Sequence, residues 1–452
     1  VTLGEFASVV HGQIAGVAPS QPLLGFALDN REVKPGDVFV AIKGANVDGH
    51  DFVSQAFSGG AVAALVERQV DVPHILVPNV VQALADFAAH IRSGFDGPVV
   101  AVTGSAGKTT TKELIAAALS PLGPVLKTQG NRNSEFSSPL LWLELDPSHK
   151  SVVVEMGMRG FGQVAHLASF TKPTIGVVTN IGVSHMELVG SREGIARAKG
   201  EVLEALPSDG AAVIWAEDPY CDLLRKLSKA KVWTFGFSQS ADCRIIGYNP
   251  LDWRSCRIEG KVHDVPYHAK LPAVGRHIAL NAAAAIMVAA SAGVNPADAA
   301  DALSTAEFPP MRMEIVEHGG VTFVVDAYNA SPPSVIAALQ TLAEMPVKGR
   351  RIAVLGEMKE LGNYAEQGHR EVGSALVQAE VDEVLLIGEA TRWIGSAAQN
   401  TGLPASSLRY VDDVGQISDY LQSLVAGDTV LIKGSRALGL ERSLDFLKEP
   451  VS

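Results

Sequence analysis

Cysteine is scarce in this 452-residue chain: Cys221, Cys243 and Cys256 make an odd count with no C-x-x-C pair. That excludes a disulfide framework and a zinc ribbon, and fits a reducing compartment. No apolar run reaches the roughly 18 residues that a membrane span needs. The opening Val1-Thr-Leu-Gly-Glu-Phe6 also lacks the basic stretch and apolar core of a secretion signal. Basic charge is short as well. Lys and Arg number 37 against 49 Asp and Glu, a net charge of −12, which argues against nucleic acid as a main partner because such proteins carry a basic stripe. With 19% charged and 47% hydrophobic residues, the chain reads as compact rather than disordered. The expectation is a soluble cytoplasmic protein.

What is present is a succession of short β-branched runs, each followed by a helical pattern. Single cores stop growing at roughly 250–300 residues, so two to four domains are expected. Asp96-Gly-Pro98 and Phe308-Pro-Pro310 break the pattern and divide the chain into segments 1–97, 98–308 and 309–452. In the middle segment the strands Val99–Thr103, Ser151–Glu155, Thr174–Thr179 and Ala211–Trp215 alternate with long helical patterns, the signature of a mostly parallel sheet covered on both faces. Short alternating strands from about Val232 to Pro272 predict an antiparallel edge, and the alanine-rich Leu280–Ala292 predicts a buried helix. Strands at Val321–Asp326, Arg351–Leu355, Glu383–Ile387 and Thr429–Lys433 predict a third α/β unit. No fixed-period repeat is evident.

The densest signal is Val99-Val-Ala-Val-Thr-Gly-Ser-Ala-Gly-Lys-Thr-Thr-Thr-Lys-Glu113, a buried strand that breaks into a glycine turn before a helix. Backbone amides of Gly104, Ser105, Ala106 and Gly107 and of the helix start suit polyphosphate oxygens. Lys108 adds a point charge, and a Thr109 or Thr110 hydroxyl suits a Mg²⁺ ion. ATP is therefore the expected nucleotide, with a GTPase or small-molecule kinase as the other use of such a loop. Val102 stands where the usual six-residue motif has its first glycine.

Downstream, Glu155 ends a strand, His185 follows Thr179-Asn-Ile-Gly-Val-Ser184, and Lys199 lies in Ala196-Arg-Ala-Lys-Gly-Glu201. Together they could form a metal shell, since a carboxylate suits Mg²⁺ and an imidazole can supplement it. Singly, Glu155 also reads as a helix cap, His185 as a hydrogen-bonded core residue and Lys199 as a solvated charge.

The strings Thr103–Thr110, Glu155-Met-Gly157, Asn180–His185, Ala198-Lys-Gly-Glu201 and Gly275-Arg-His-Ile-Ala-Leu-Asn281 resemble, in order, the Mur ligase family of ATP-dependent amide-bond ligases, over nearly the whole chain. Asp326–Pro332, Leu355–Gly362, His369–Gly373 and Leu431–Arg442 are similar to the members that add D-alanyl-D-alanine to UDP-N-acetylmuramoyl-tripeptide. The resemblance implies a three-domain α/β architecture: an N-terminal UDP-sugar-binding domain, a central ATPase domain on a mostly parallel sheet, and a Rossmann-like C-terminal domain. It implies that the substrate carboxylate attacks the γ-phosphate of ATP and that the dipeptide amine then displaces phosphate from the acyl phosphate.

By the same resemblance Lys108 lies along the phosphates, Thr109 or Thr110 and Glu155 hold one Mg²⁺, and Glu155, His185 and Lys199 serve a second. An ordinary lysine, with a pKa near 10.4, would repel a cation, so Lys199 is expected to be carbamylated by CO₂, against the alternative of a plain lysine paired with substrate or an acid. His277 and Asn281 are expected at adenine, where Ile278 replaces a usual Asn, although His277 also reads as a helix cap. Arg312 is expected at the ATP phosphates and Asp326 near the ribose, with an interdomain salt bridge as the competing role of both. Asp29, Arg31 and Lys43 are expected at the uridine nucleotide, where Asn30 replaces Ser or Thr. Asn131, Asn133 and Ser134 line the substrate loop, in which Ser134 and Phe136 depart from the family pattern. Asn329, Ser331, Lys433, Ser435 and Arg436 are expected to grip the dipeptide and the growing peptide, the alternative for the last three being a solvated turn. The partners implied are the two small-molecule substrates, acted on by a monomer. A sister ligase for another amino acid and a non-ligating nucleotide-binding regulator are the other readings.

Overall fold

A computed structural model describes residues 1–44 and 47–448, so 449–452, the end of the third expected segment, lie outside the described residues. The strands collect into three sheets. In the first, Gln13–Ala15, His74–Leu76, Ala63–Val66, Asp37–Val40 and Gly25–Ala27 lie side by side in that order, parallel except for the first pair. The helix Val80–Arg92 starts where Asn79 accepts a hydrogen bond from the Gln82 amide. It buries Leu84 and Phe87 on this sheet, with the Phe87 ring 4.8 Å from that of Phe6. Its Ala85 and Ala88 belong instead to the core of the central sheet. The helix is thus the seam between two units, and Arg92 at its end donates to the carbonyls of Thr171, Lys172 and Phe95.

The central sheet has nine strands. Val125–Lys127, Ser151–Glu155, Val99–Thr103, Ile175–Val178, Ala211–Trp215, Lys231–Gly236 and Cys243–Asp252 run parallel, and Ser255–Val262 and Val265–Leu271 close it with antiparallel pairing. All five residues of Val99–Thr103 are buried, because helices cover both faces, and that is why the strand reads as an unbroken apolar run. The antiparallel edge begins at Cys243 rather than Val232, since Lys231–Gly236 pairs parallel with Ala211–Trp215. The alanine-rich helix spans Arg276–Ser291, four residues earlier than its pattern suggested, and packs beside Lys108–Leu119. Its run Ala282–Ala285 is fully buried, small side chains allowing close approach to the sheet.

From Val99–Thr103 the chain first fills one side of the sheet (Val125–Lys127, Ser151–Glu155) and then crosses to the other (Ile175–Val178). This strand is the topological switch point, where a crevice opens beyond the strands' carboxyl ends. The third sheet orders Glu314–His318, Val321–Val325, Thr429–Lys433, Arg351–Gly356, Glu383–Ile387 and Leu408–Val411, parallel except for the first pair. Its two edge strands, half exposed, carry the weakest apolar signal and were not anticipated from sequence.

Arg92 anchors the seam helix through three carbonyls, so Arg92→Met is expected to lower stability by about 1.5–3 kcal/mol, the range for hydrogen bonds to a charged group. Urea unfolding followed by tryptophan fluorescence checks this, and a variant as stable as the parent would show that apolar packing alone holds the seam.

Candidate active site

The phosphate loop is shaped by the neighbouring strand end. Thr179 and Asn180, which follow Ile175–Val178, reach across: Thr179 Oγ1 and Asn180 Nδ2 both donate to the Ala106 carbonyl (2.6 and 2.9 Å), and Asn180 Oδ1 accepts from the Ala106 amide (3.0 Å). The Ser105 amide donates to the Asn180 carbonyl, and Ser105 Oγ accepts from Gly182. Glycine is required twice. Gly104 has φ +153 and a Cβ there would overlap Thr179 Oγ1; Gly107 has φ +79 and faces the Asn281 amide. The helix Lys108–Leu119 then begins, and Thr111 is the first residue whose amide finds an acceptor, on Gly107. The preceding amides, without intrahelical acceptors, face the cleft as an anion site. Lys108 Nζ donates to the Gly104 carbonyl at 2.9 Å, and burial, with Arg312 nearby, lowers its pKa against the pull of Glu155.

Glu155 is no helix cap. Its carboxylate accepts from Thr109 Oγ1 and from Asn133 Nδ2, both at 2.8 Å, and its amide donates to Thr128 Oγ1. One buried acid therefore joins the phosphate helix to the Asn-rich loop. Lys112, fully buried one turn into the helix, donates to the carbonyls of Thr128 and Gly130 and pairs with Glu113. Asn131, Asn133 and Ser134 line the same cleft as Thr109 and Thr110.

His185 sits at φ +64 with a partly buried ring, its pKa lowered to about 4, first by burial and then by Lys199, Lys108 and Arg159. The imidazole is neutral near pH 7 and keeps a lone pair for a ligand. Lys199, on the helix Arg192–Glu204, is no solvated charge: it is 1% exposed, with no hydrogen bond or ion pair to its ammonium among the described residues. Burial, with Lys108 second, pushes its pKa well down. It lies beneath the cleft rather than in its wall.

The opposite wall comes from the third sheet. Arg312 stacks 4.1 Å from the Tyr328 ring, its Nε buried without a partner. Asp326 forms a salt bridge within its own domain, to buried Lys433, which also donates to the Asn329 carbonyl. His277 lies in the first turn of its helix rather than at the cap, which is Gly275. Its Nδ1 is buried without a partner and its pKa is lowered to about 4, by burial first, against the field of Asp326. Asn281 packs on Gly107. Ser331 forms a capping box with Ser334 at the start of Pro332–Glu344, and Arg436 pairs with Glu441 at 2.8 Å. Ser435 is buried under this wall, accepting at Oγ from the Lys359 amide.

Three expected residues stand apart. Asp29, Arg31 and Lys43 lie in loops of the first unit, beyond its strands, and do not reach the cleft. Asp29 and Arg31 pair with each other at 2.5 Å in the exposed turn Asn30–Glu32. Sequence reasoning assigned no role to Thr179 and Asn180, although their place directly after a strand at the switch point could have flagged them. It also assigned no role to Tyr328 and Glu360, although both lie within the strings Asp326–Pro332 and Leu355–Gly362 singled out above.

The cleft, about 1410 Å³, lies between the central and third sheets. The Ser105 and Ala106 amides, expected at phosphate, are instead taken by Asn180, so the amides at the helix start, together with unpaired buried nitrogens of His277 and Arg312, fit a nucleoside triphosphate. Among the described residues no three His, Cys, Asp or Glu side chains converge on one point. A hard cation here would thus rest on Thr109, Glu155 and His185 together with nucleotide oxygens, the usual habit of Mg²⁺.

Three α/β units, the second and third enclosing such a cleft, define a class. Family models described as Mur ligase family, catalytic domain (residues 25–128), Mur ligase middle domain (102–289) and Mur ligase, glutamate ligase domain (311–436) match in succession, and the chain belongs to the Mur ligase family. More particularly, it is 33% identical, over 100% of its own length and 99% of the other, to the UDP-N-acetylmuramoyl-tripeptide--D-alanyl-D-alanine ligase of Bacillus subtilis. Its fold matches MurF from Acinetobacter baumannii with a TM-score of 0.89 at 28% identity, covering 99% of both chains. It also matches MurF ligase from Thermotoga maritima in complex with ADP, with a TM-score of 0.82 at 32% identity over 94% of this chain and 97% of that one.

A methyl group at position 104 would wedge Thr179 away from the loop. Gly104→Ala is expected to weaken ADP binding by about tenfold or more, equivalent to about 1.4 kcal/mol, while circular dichroism stays native. Calorimetric titration with ADP measures this, and unchanged affinity would remove the loop from nucleotide binding.

Proposed function

We propose that this chain joins D-alanyl-D-alanine to UDP-N-acetylmuramoyl-tripeptide at the expense of ATP, giving the UDP-muramoyl-pentapeptide precursor of peptidoglycan. The observation that carries the reading is the cleft that sets the phosphate loop against the strand ends of the third sheet, in a chain similar end to end to ligases of that name. Residues 1–97 hold the UDP-sugar, with Asp29, Arg31 and Lys43 at the uridine nucleotide. Residues 98–308 hold ATP, and 309–452 contribute to ATP and take the dipeptide. The enzyme works as a cytoplasmic monomer.

The chemistry is electrostatically demanding, because an anionic carboxylate must meet an anionic triphosphate. A carboxylate oxygen bonds to the γ-phosphorus as ADP leaves; the dipeptide amine then bonds to the acyl carbon, the carbon–oxygen bond to phosphate breaks, and the amine's extra proton is released. Lys108, Arg312 and the amides at the helix start lower the phosphate charge. Asn131, Asn133 and Ser134, of which Asn133 is held by Glu155, orient the tripeptide carboxylate. His277 and Asn281 take the adenine, Asp326 the ribose. Asn329, Ser331 and Arg436 hold the dipeptide and peptide ends, with Ser435 and Lys433, which is paired to Asp326 and the Asn329 carbonyl, acting from beneath.

Thr109, Glu155, His185 and Lys199 would hold Mg²⁺, whose charge would screen the phosphates. Lys199 serves as a carbamate: burial disfavours its ammonium, the amine form adds CO₂ with loss of one proton, and the product would offer oxygen anions where an ammonium would repel the metal.

Phosphate release from ATP and Mg²⁺ is expected only when UDP-muramoyl-tripeptide and D-alanyl-D-alanine are both present, with a pentapeptide product by mass spectrometry. Turnover with a different amine would point to a sister ligase, and turnover needing neither substrate to a regulator. Activity is further expected to fall several-fold in CO₂-depleted buffer and to return with bicarbonate. Indifference to CO₂, with an unmodified Lys199 side chain in crystal density, would reject the carbamate.

A further inference from the structure

The strings Glu357-Met-Lys-Glu-Leu-Gly362 and His369-Arg-Glu-Val-Gly373 take no part in the binding described so far. The loop after the strand Arg351–Gly356 is held from below by two buried side chains. His369 Nε2 accepts from the Met358 amide at 3.0 Å, while Nδ1 lies 2.6 Å from the Ala365 carbonyl and donates to it. Ser435 Oγ accepts from the Lys359 amide at 2.9 Å, and the Ser435 amide donates to the Glu357 carbonyl at 3.3 Å. Held this way, Glu360 takes φ +63, a left-handed conformation uncommon outside glycine. Such strain persists only where the surroundings over-determine it, and it gathers at functional sites. Gly362 follows at φ +51, so close to the central unit that a Cβ would stand 3.0 Å from Glu187 Cα.

The strained loop carries one carboxylate across the domain boundary. Glu360 Oε2 lies 2.9 Å from His185 Nδ1. That nitrogen is buried and makes no aligned hydrogen bond, so the contact is one of proximity, which a rotation of the exposed Glu360 side chain would complete. His185, at φ +64, is itself set in a strained turn. Two strained residues from different sheets thus meet side chain to side chain at the mouth of the phosphate site.

We propose that Glu360 is a positioning residue: its carboxylate accepts the Nδ1–H of His185 and fixes the tautomer whose Nε2 lone pair is free for a divalent cation. This rests on the reading of His185 as a cation ligand. A metal-binding imidazole commonly gives its other N–H to a carboxylate, which fixes the ring and raises its basicity. Here the two partners come from separate sheets, so the cation site is complete only while the third sheet is docked. By linkage, a bound cation favours that docked arrangement in equal measure.

The test is Mn²⁺ binding, read by electron paramagnetic resonance on the full chain holding ADP, with calorimetric ADP affinity as the check on folding. Glu360→Ala is expected to weaken Mn²⁺ by roughly 10- to 100-fold, the usual loss when a ligand's outer partner is removed. Glu360→Gln, whose amide oxygen still accepts from Nδ1–H, should stay close to the parent. Parent-like Mn²⁺ binding by Glu360→Ala overturns the proposal. So does an equal loss in both variants, which would mean that charge rather than tautomer matters. If both bind Mn²⁺ normally yet lose turnover, Glu360 serves the incoming amine instead and the proposal is wrong. His185→Ala separates the levels: unchanged Mn²⁺ binding there removes the cation-ligand reading itself, whereas a loss there without one in Glu360→Ala removes only the orienting role.

Discussion

The two-way hydrogen bonding between Asn180 and Ala106 is the constraint on which the rest of the cleft depends. A glycine turn between a strand and a helix has many conformations, and only a few of them line up amides toward an anion. Asn180 removes that freedom by engaging both the amide and the carbonyl of one loop residue, and Thr179 adds a second bond to the same carbonyl. Both follow the strand Ile175–Val178, which lies beside Val99–Thr103 because the chain crosses over at the switch point. The sheet order therefore supplies the template that gives the loop its shape, and the turn continues directly to His185.

Charge is distributed around this loop with little compensation. Lys108 and Lys199 are buried close enough that each depresses the basicity of its surroundings, and Lys199 has no acid partner among the described residues. Glu155 sits within reach of Lys108 but directs its oxygens to Thr109 and Asn133. An excess of buried positive charge is costly without an anion. A triphosphate in the cleft meets the Lys108 charge directly, whereas Lys199 lies beneath the wall. Lys112 differs in kind, since its pairing with Glu113 and with two carbonyls satisfies it completely and makes it a strut between the phosphate helix and the substrate loop.

Much of this was legible from residues in a row. The phosphate loop, the parallel central sheet and the third α/β unit follow from β-branched runs, glycine placement and helical periodicity, all local properties that need no partner. The antiparallel edge was legible in outline, but its start was not, because Lys231–Gly236 is claimed by a parallel neighbour, a pairing that no residue within the strand signals. The edge strands of the third sheet escaped because half-exposed residues carry little apolar signal.

The sequence by itself determined the kind of chemistry: a cradle of small residues, a lysine and threonines for phosphate, and strands able to form three sheets. Tertiary structure decided which charges meet. Lys433 could have been a free grip for a carboxylate, and folding gave it to Asp326. Lys199 could have been a surface charge, and the packing of its helix buried it. His185 was readable as a ligand, but its neighbour Glu360 comes from another sheet. The physical reason is common to all three: charge interactions are set by distance and burial, and both depend on how separate elements pack rather than on the order of residues along one of them.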